Sequence, residues 1–350
     1  MIHPRPAPRP VEIIGGGLAG LSLGLALRRA GLPVTLFEAG AYPRHRVCGE
    51  FITGLSAATI ARLQLAPFLA DATPHREVAW FSRDRPLRRQ TLPHAALALS
   101  RHTLDDRLAR AFTAAGGTLR THTRVDPADS PEGRVFATGR RPARSAGPRW
   151  LGLKCHAVRA LPLSAELELH LGDHAYVGLC AVEGGRINIS GLFRQRDALA
   201  AVSRETALPA YLRASGLHTL ADRLASAELD PASHSAVAGL SFAQPSTRSD
   251  RLVIGDTYAM IPPFTGNGMA MAFQSAEQAL DPLLAWSRGE RSWPDTTRTV
   301  HQRLRSLFRT RLAASSALHP FLYQPAGQRA LSAASRLRLL PMEPLYALTH

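Results

Sequence analysis

Val11-Glu12-Ile13-Ile14-Gly15-Gly16-Gly17-Leu18-Ala19-Gly20, followed by Pro33-Val34-Thr35-Leu36-Phe37-Glu38, decides the fold. Val11 to Ile14 reads as a short buried strand that runs straight into the glycines. A helix pattern follows from Leu21 to Ala30, with Leu21, Leu25 and Ala26 on one face and Gly31 as its stop. Pro33 to Glu38 is a second strand. Strand, turn, helix and strand within about 30 residues make a βαβ unit and open a parallel sheet.

The turn carries a physical reason at each glycine. Gly15 allows the tight bend, Gly17 lets backbone approach a pyrophosphate, and Gly20 permits helix and strand to pack closely. Leu18 and Ala19 stand between the glycines as candidate cofactor contacts, and the N-terminus of the following helix offers free N–H groups and a partial positive charge to the phosphates. Glu38, with Ala39 behind it, ends the second strand 21 residues after Gly17, where a carboxylate accepts ribose hydroxyl protons. That carboxylate repels a 2′-phosphate, so the bound dinucleotide is expected to be FAD or NAD.

A second turn lies far along the chain. Leu252-Val253-Ile254-Gly255-Asp256 reads as a strand ending in an acid, and Pro263-Phe264-Thr265-Gly266-Asn267-Gly268 precedes a helix from Met269 to Trp286. Asp256 suits the ribityl hydroxyls of a flavin. The helix opening at Gly266–Gly268 suits the flavin ring edge that becomes negative on reduction. The pair of turns selects FAD over NAD. Read alone, the second turn is equally an N-cap aspartate beside a loop.

Between the turns, Ser100 to Ala115 is a helix, and a helix is expected from Ser56 to about Leu69. Thr118–Val125 and Val135–Gly139 read as strands. From 150 to 195, β-like runs separated by Gly172-Asp173 and Gly184-Gly185 predict an antiparallel meander. The expected architecture is α/β: a discontinuous Rossmann-like FAD-binding domain (9–66, 96–150 and 246–285), an antiparallel-sheet substrate domain (67–95 and 151–245) and a helical C-terminal region (286–350).

Composition excludes several classes. Of 350 residues, 45% are hydrophobic and 20% charged, enough for a sizeable core and against wholesale disorder. The formal charge is +15, yet 41 of the 42 basic residues are scattered arginines and no nucleic-acid motif accompanies them, so no nucleic-acid partner is expected. Cys48, Cys155 and Cys180 form neither a disulfide framework nor a CxxC pair, and no metal site is expected. The Pro/Arg-rich start has no apolar signal core, and no run of about 20 apolar residues exists. A cytoplasmic setting is the expectation.

Four stretches then carry a resemblance. They are Gly15–Gly20 with Glu38; Pro43-Arg44-His45-Arg46-Val47-Cys48-Gly49-Glu50; Ser100-Arg101-His102-Thr103-Leu104-Asp105; and Gly255-Asp256 with Pro263 to Gly268. Together they resemble the flavoproteins built like p-hydroxybenzoate hydroxylase and, through the Cys-Gly-Glu loop, the geranylgeranyl-reductase-like branch. The resemblance implies pyrophosphate contacts at Gly15 and Gly17, a ribose ligand at Glu38, and phosphate or ribose contacts from Arg46. It further implies FAD contact from Arg101 and the flavin aspartate at Asp256. One departure stands at the middle motif, where Thr138-Gly139-Arg140-Arg141 replaces the family's Asp-Gly. The Trp-x-Trp-x-Ile-Pro signature of flavin halogenases is absent.

The resemblance implies tightly held, non-covalent FAD and transient NAD(P)H. The first reading is a monooxygenase of secondary metabolism, hydroxylating a small aromatic or polyketide-like hydrophobic compound with O2. An ene-reductase acting on an isoprenoid or other alkene is the second, and a non-catalytic flavin-binding or electron-transfer protein the third. Candidate catalytic residues are Lys154, His156 and Cys48. Lys154 is the single lysine, and strand alternation puts it on one face with His156, opposite Cys155. That face either lines the flavin pocket, where both could polarise a substrate oxygen, or meets solvent. Cys48 touches flavin or substrate, or is a small buried hydrophobe. Glu50 either orients the Cys loop or caps the next segment. In the tail, Leu304, Leu307, Phe308 and Leu312 alternate with Arg303, Arg305, Arg309 and Arg311. That pattern suits either peripheral contact with anionic lipid or a helix packed on the body.

Overall fold

The computed structural model describes residues 7–139, 149–159, 161–240, 242, 245, 250–337 and 348. Arg140 and Arg141 of the middle motif lie outside the described residues.

β1 (Val11–Ile14) pairs in parallel with β2 (Val34–Phe37) on one side and β7 (Arg134–Phe136) on the other. β6 (Thr118–Arg120) extends β2, and β14 (Leu252–Val253) extends β7. The order β14-β7-β1-β2-β6 is a fully parallel five-stranded sheet. Parallel strands need both faces covered, and the central runs are accordingly mostly apolar, with Val11, Ile13, Ile14, Val34, Leu36, Val135 and Phe136 buried. α1 (Leu18–Arg29), α3 (Arg101–Ala114) and α6 (Gly268–Ser287) supply the cover. Ile13, Leu21, Leu25, Phe112, Phe273 and Leu283 are buried in the shared core. α1 starts at Leu18, earlier than the periodicity suggests. Gly20 is part of the helix because its missing Cβ lets it sit over the turn: a Cβ there would lie 2.0 Å from the Gly15 carbonyl oxygen.

The second sheet has nine strands. These are β3 (Phe51–Ile52), β4 (Thr73–Ser82), β5 (Arg85–Ala98), β8 (Trp150–Arg159), β9 (Leu167–Gly172), β10 (Ala175–Ala181), β11 (Ile187–Arg194), β12 (Glu228–Leu229) and β13 (Ser235–Leu240). Its order is β12-β8-β11-β10-β9-β4-β5-β3, with β13 also on β8. The pairing is antiparallel except between β4 and β9, which run parallel.

Register assigns the faces. Lys154 stands opposite Ser190, Ser190 opposite Gly178, and Gly178 opposite Leu169. Side chains alternate along a strand, so Gly152, Lys154, His156, Tyr176, Gly178, Ser190 and Leu192 share the front face. Leu153, Cys155, Val177, Leu179, Ile189 and Phe193 point back and are buried under α4 (Arg204–Ala214) and α5 (His218–Ala225).

Several boundaries differ from the sequence reading. α2 (Ala57–Arg62) ends early because Gln64 adopts φ 53°, and a separate short turn follows over Ala66–Phe68. The strand at Thr118 stops at Arg120, and His122 turns the chain at φ 53°. The tail is α7 (Trp293–Tyr323) and α8 (Pro325–Arg336). Leu304, Phe308 and Leu312 are buried in the body, and buried Arg311 donates to Gln274 at 2.8 Å; Leu307 alone of that stripe is exposed. Among the described residues, no helix is long and apolar enough to cross a membrane.

Phe193 is fully buried between the sheet and Tyr211. Phe193→Ala is expected to cost about 3–5 kcal/mol in urea unfolding, with an unchanged far-ultraviolet spectrum before the transition.

Candidate functional site

The first turn leaves β1 through Gly15 at φ 110°, where a Cβ would collide with Ala137 backbone at 2.3 Å. Glu38 reaches back across it. Gly16 N–H donates to Glu38 Oε2 at 2.8 Å, Gly40 N–H donates to Oε1 at 2.9 Å, and Arg44 and Arg46 stand 3.1 and 3.4 Å from the two oxygens. Burial pushes the Glu38 carboxyl up. The Arg46 charge, the Gly40 N–H, the Arg44 charge and the Gly16 N–H outweigh it and leave the group below its usual value. Tyr42 closes the corner, donating to the Gly16 carbonyl at 2.6 Å.

Asp105, fully buried one helical turn after Arg101, ties two arginines together. It accepts from Arg101 at 2.7 and 2.8 Å and from Arg46 at 2.9 Å. Sequence reading missed Asp105 and Tyr42. The Arg101–Asp105 spacing of four on a helix was the available signal.

The second turn starts at Gly255 with φ 60°, and its N–H donates to Ser275 of α6 at 2.9 Å. A Cβ on Gly255 would meet the Ala19 Cβ at 2.9 Å, so the two distant turns touch. Thr138-Gly139 joins them: Gly139 N–H donates to Thr257 Oγ1 at 2.9 Å, which donates back to the Gly139 carbonyl at 3.1 Å. Asp256 is exposed and lines the cavity described next. The surrounding protein pushes its carboxyl up to about 6, with Arg101 opposing.

A cavity of about 1470 Å3 runs past both turns and under the front face of the second sheet. Gly15, Gly17, Leu18, Ala19, Glu38, Ala39, Arg46, Cys48, Arg101, Gly255, Asp256, Pro263, Gly266 and Gly268 all line it. Gly20 and Asn267 do not: Gly20 packs under the turn, and Asn267, fully buried, stands at the residue before α6 without a side-chain capping bond. Glycines leave bare backbone on the wall. A Cβ on Gly49 or Gly268 would meet nothing within 4 Å, and one on Gly17 only Arg101 at 3.7 Å.

Lys154 and His156 are neither on the cavity wall nor in solvent. Both side chains are fully buried and engaged by Glu50, Lys154 Nζ at 2.9 Å from Oε1 and His156 Nε2 at 2.6 Å from Oε2. Direct polarisation of a substrate oxygen therefore does not follow from their placement. Burial would raise the Glu50 carboxyl, but the His156 hydrogen bond and the Lys154 charge hold it down at about 2. Cys48 does line the cavity, and burial pushes its thiol up, which keeps it protonated. His45, His156 and Asp230 have potential ligand atoms within 4.8 Å of one another. The Lys154 ammonium, 3.3 Å from His45 Nδ1, disfavours a metal cation there.

Residues 13–49 match the family described as NAD(P)-binding Rossmann-like domain. The menaquinone reductase of Mycolicibacterium smegmatis is 30% identical over 132 residues, covering 36% of this chain. The match spans about a third of that relative, 32% of its length. Among solved structures, Pseudomonas aeruginosa PqsL in complex with 2-aminobenzoylacetate superposes with a TM-score of 0.70 at 15% identity, covering 89% of this chain and 96% of PqsL. The p-nitrophenol 4-monooxygenase PnpA of Pseudomonas putida gives 0.72 at 14% identity, with 97% of both chains covered. The chain therefore has the fold of these flavoenzymes: a Rossmann-like sheet, an antiparallel-type sheet domain and a helical C-terminal region. The residues present fit an extended dinucleotide, since one cavity joins the Glu38 carboxylate, two helix N-termini and the Asp256 carboxylate.

Gly20→Ala is expected to cost on the order of 1–3 kcal/mol in denaturant unfolding, because its Cβ meets rigid backbone. Gly49→Ala, whose Cβ meets open space, should leave unfolding unchanged.

Proposed function

We propose that the chain is an FAD-dependent monooxygenase that uses NAD(P)H and O2 to hydroxylate a small aromatic or polyketide-like hydrophobic substrate. The observation that carries this reading is the single cavity that joins both glycine turns to an apolar chamber. FAD, when bound, supplies the redox and oxygen chemistry; the protein supplies position and electrostatics.

The chain's own residues divide that work. Glu38 takes the adenosine ribose, and Arg44, 38% exposed, is the partner that yields to it. The α1 N-terminus and Arg101 hold the phosphates. Asp256 accepts ribityl hydroxyls, and the α6 N-terminus faces the flavin ring, favouring negative charge there. Trp80, Leu169, Leu192, Leu240, Phe242 and Leu322 wall the chamber and exclude water. The Trp80 indole N–H and Gln90 Oε1 are buried without a hydrogen-bond partner, one donor and one acceptor on that wall.

A flavin-dependent reductase of the geranylgeranyl-reductase type is the second reading, favoured by the relative named menaquinone reductase. The domain division at 9–66, 96–150 and 246–285, 67–95 and 151–245, and 286–350 belongs to the same proposal, as does a cytoplasmic setting. The tail is read as a solvated arginine face over a packed helix, and liposome flotation is expected to detect no salt-sensitive binding.

Substrate should accelerate oxygen consumption with NAD(P)H under the first reading. Alkene reduction that proceeds anaerobically, without an oxygen requirement, would replace it with the second. The raised Asp256 carboxyl gives a pH test. Its acid form, the poorer acceptor, persists up to about 6, so FAD affinity should fall as pH drops through that value. In Asp256→Asn that pH dependence should disappear, and a wild-type pH profile would remove the role.

A further inference from the structure

Residues 48 to 50 form a turn of unusual construction. Glu50 adopts φ 54°, a left-handed conformation that costs a residue with a side chain about 1–3 kcal/mol. Its carboxylate is fully buried and takes three donors: Lys154 Nζ and the Arg101 backbone N–H on Oε1, both at 2.9 Å, and His156 Nε2 on Oε2 at 2.6 Å. Its backbone is held as well. Glu50 N–H donates to Cys48 Sγ at 3.3 Å, and its carbonyl accepts from Leu99 at 3.1 Å.

The front face of the second sheet grips the same turn from its polar end. Asn188 of β11 donates to the Cys48 and Gly49 carbonyls at 3.2 and 2.8 Å, and the Cys180 thiol of β10 donates to the Gly49 carbonyl at 3.5 Å. Lys154 and His156 come from β8, beside β11. Glu183, just after β10, accepts from Ser100 N–H at 2.8 Å, so two carboxylates from outside α3 satisfy its first N–H groups. The sheet that roofs the substrate chamber is thus bonded to both the Cys48-Gly49 turn and the start of α3, and these carry cavity-lining backbone and Arg101.

The single lysine fits this requirement. With side-chain exposure of zero at both Lys154 and Glu50, the site takes a compact ammonium with three rotatable donors. A planar guanidinium fork needs more room and different angles. Where 41 other basic positions are arginine, this one is not.

We propose that Glu50, Lys154 and His156 are positioning residues: a buried, charge-compensated clamp that fixes the Cys48-Gly49 turn and Arg101 relative to the substrate sheet, and so sets the flavin against its substrate. The clamp rests on the FAD reading of the site. It acts through backbone geometry, and none of its three side chains touches the cavity.

The test uses the full chain reconstituted with FAD. E50Q/K154M removes both charges of the clamp together and avoids stranding a buried ion. Wild type that takes up no FAD would remove the FAD reading itself. Given wild-type uptake, the double variant should retain FAD and the KM for NADH or NADPH. Its visible flavin band and flavin circular dichroism should shift, and its NAD(P)H-driven oxygen consumption should fall about 100-fold, the scale of an ångström-sized misplacement. Unchanged flavin spectra and turnover would overturn the clamp. Should the double variant not fold, H156N, which withdraws one donor from Glu50, reads the same quantities. A spectral shift with lowered turnover supports the clamp, and wild-type values overturn it.

Discussion

Everything in this molecule depends on a parallel pairing between strands that are remote in sequence. β7 sits between β1 and β14, and parallel hydrogen bonding brings all three carboxyl ends to one edge of the sheet. The chain turns out of β1 at Gly15 and out of β14 at Gly255, and the second turn rests against Ala19 in the first turn of α1. At the carboxyl edge of a parallel sheet, helix N-termini and strand-end acids converge as a consequence of topology. Glu38 and Asp256 are two such acids, and the cavity between them follows from the strand order.

The second sheet turns that edge into a chamber. Its back face is ordinary core, with Phe193, Val177 and Ile189 under α4 and α5. Its front face carries small residues at the centre, Gly152, Gly178 and Ser190, and large apolar ones around them. A Cβ on Gly178 would meet only Leu169, at 3.8 Å. Open volume at the middle of a sheet is costly unless something fills it, and here it opposes the glycine turns. One strand, β8, contributes Leu153 and Cys155 to the core and Lys154 and His156 to the clamp, so period-two alternation divides packing from positioning.

What was legible in the sequence follows the range of the interactions. The β1–α1–β2 unit, Glu38, the Gly255-Asp256 turn and the opposition of Lys154 to Cys155 rest on local spacing, and all are visible in the structure. The short elements were not legible. β3, β12 and β13 exist by pairing with distant strands, and α2 is cut by a single left-handed residue, Gln64. Lys154 and His156 illustrate the limit best. Alternation put them together, but their partner lies 104 residues away from Lys154 in a loop, and only the fold makes a buried Glu50 the natural acceptor. The tail shows a second limit, because its pattern alone left both a body-packed helix and a lipid-facing one open. Its amphipathic pattern is real, yet the apolar stripe faces the body, because a surface helix and a lipid-facing helix share one periodicity.

The central claim is that two turns some 240 residues apart hold one extended ligand. Crystallography of the protein grown with FAD tests it most directly. The account predicts the adenosine at Glu38, the phosphates at the α1 N-terminus, and the flavin ring beside Gly266–Gly268 below Gly178. FAD density elsewhere on the protein, or an empty cavity at saturating FAD, would contradict it.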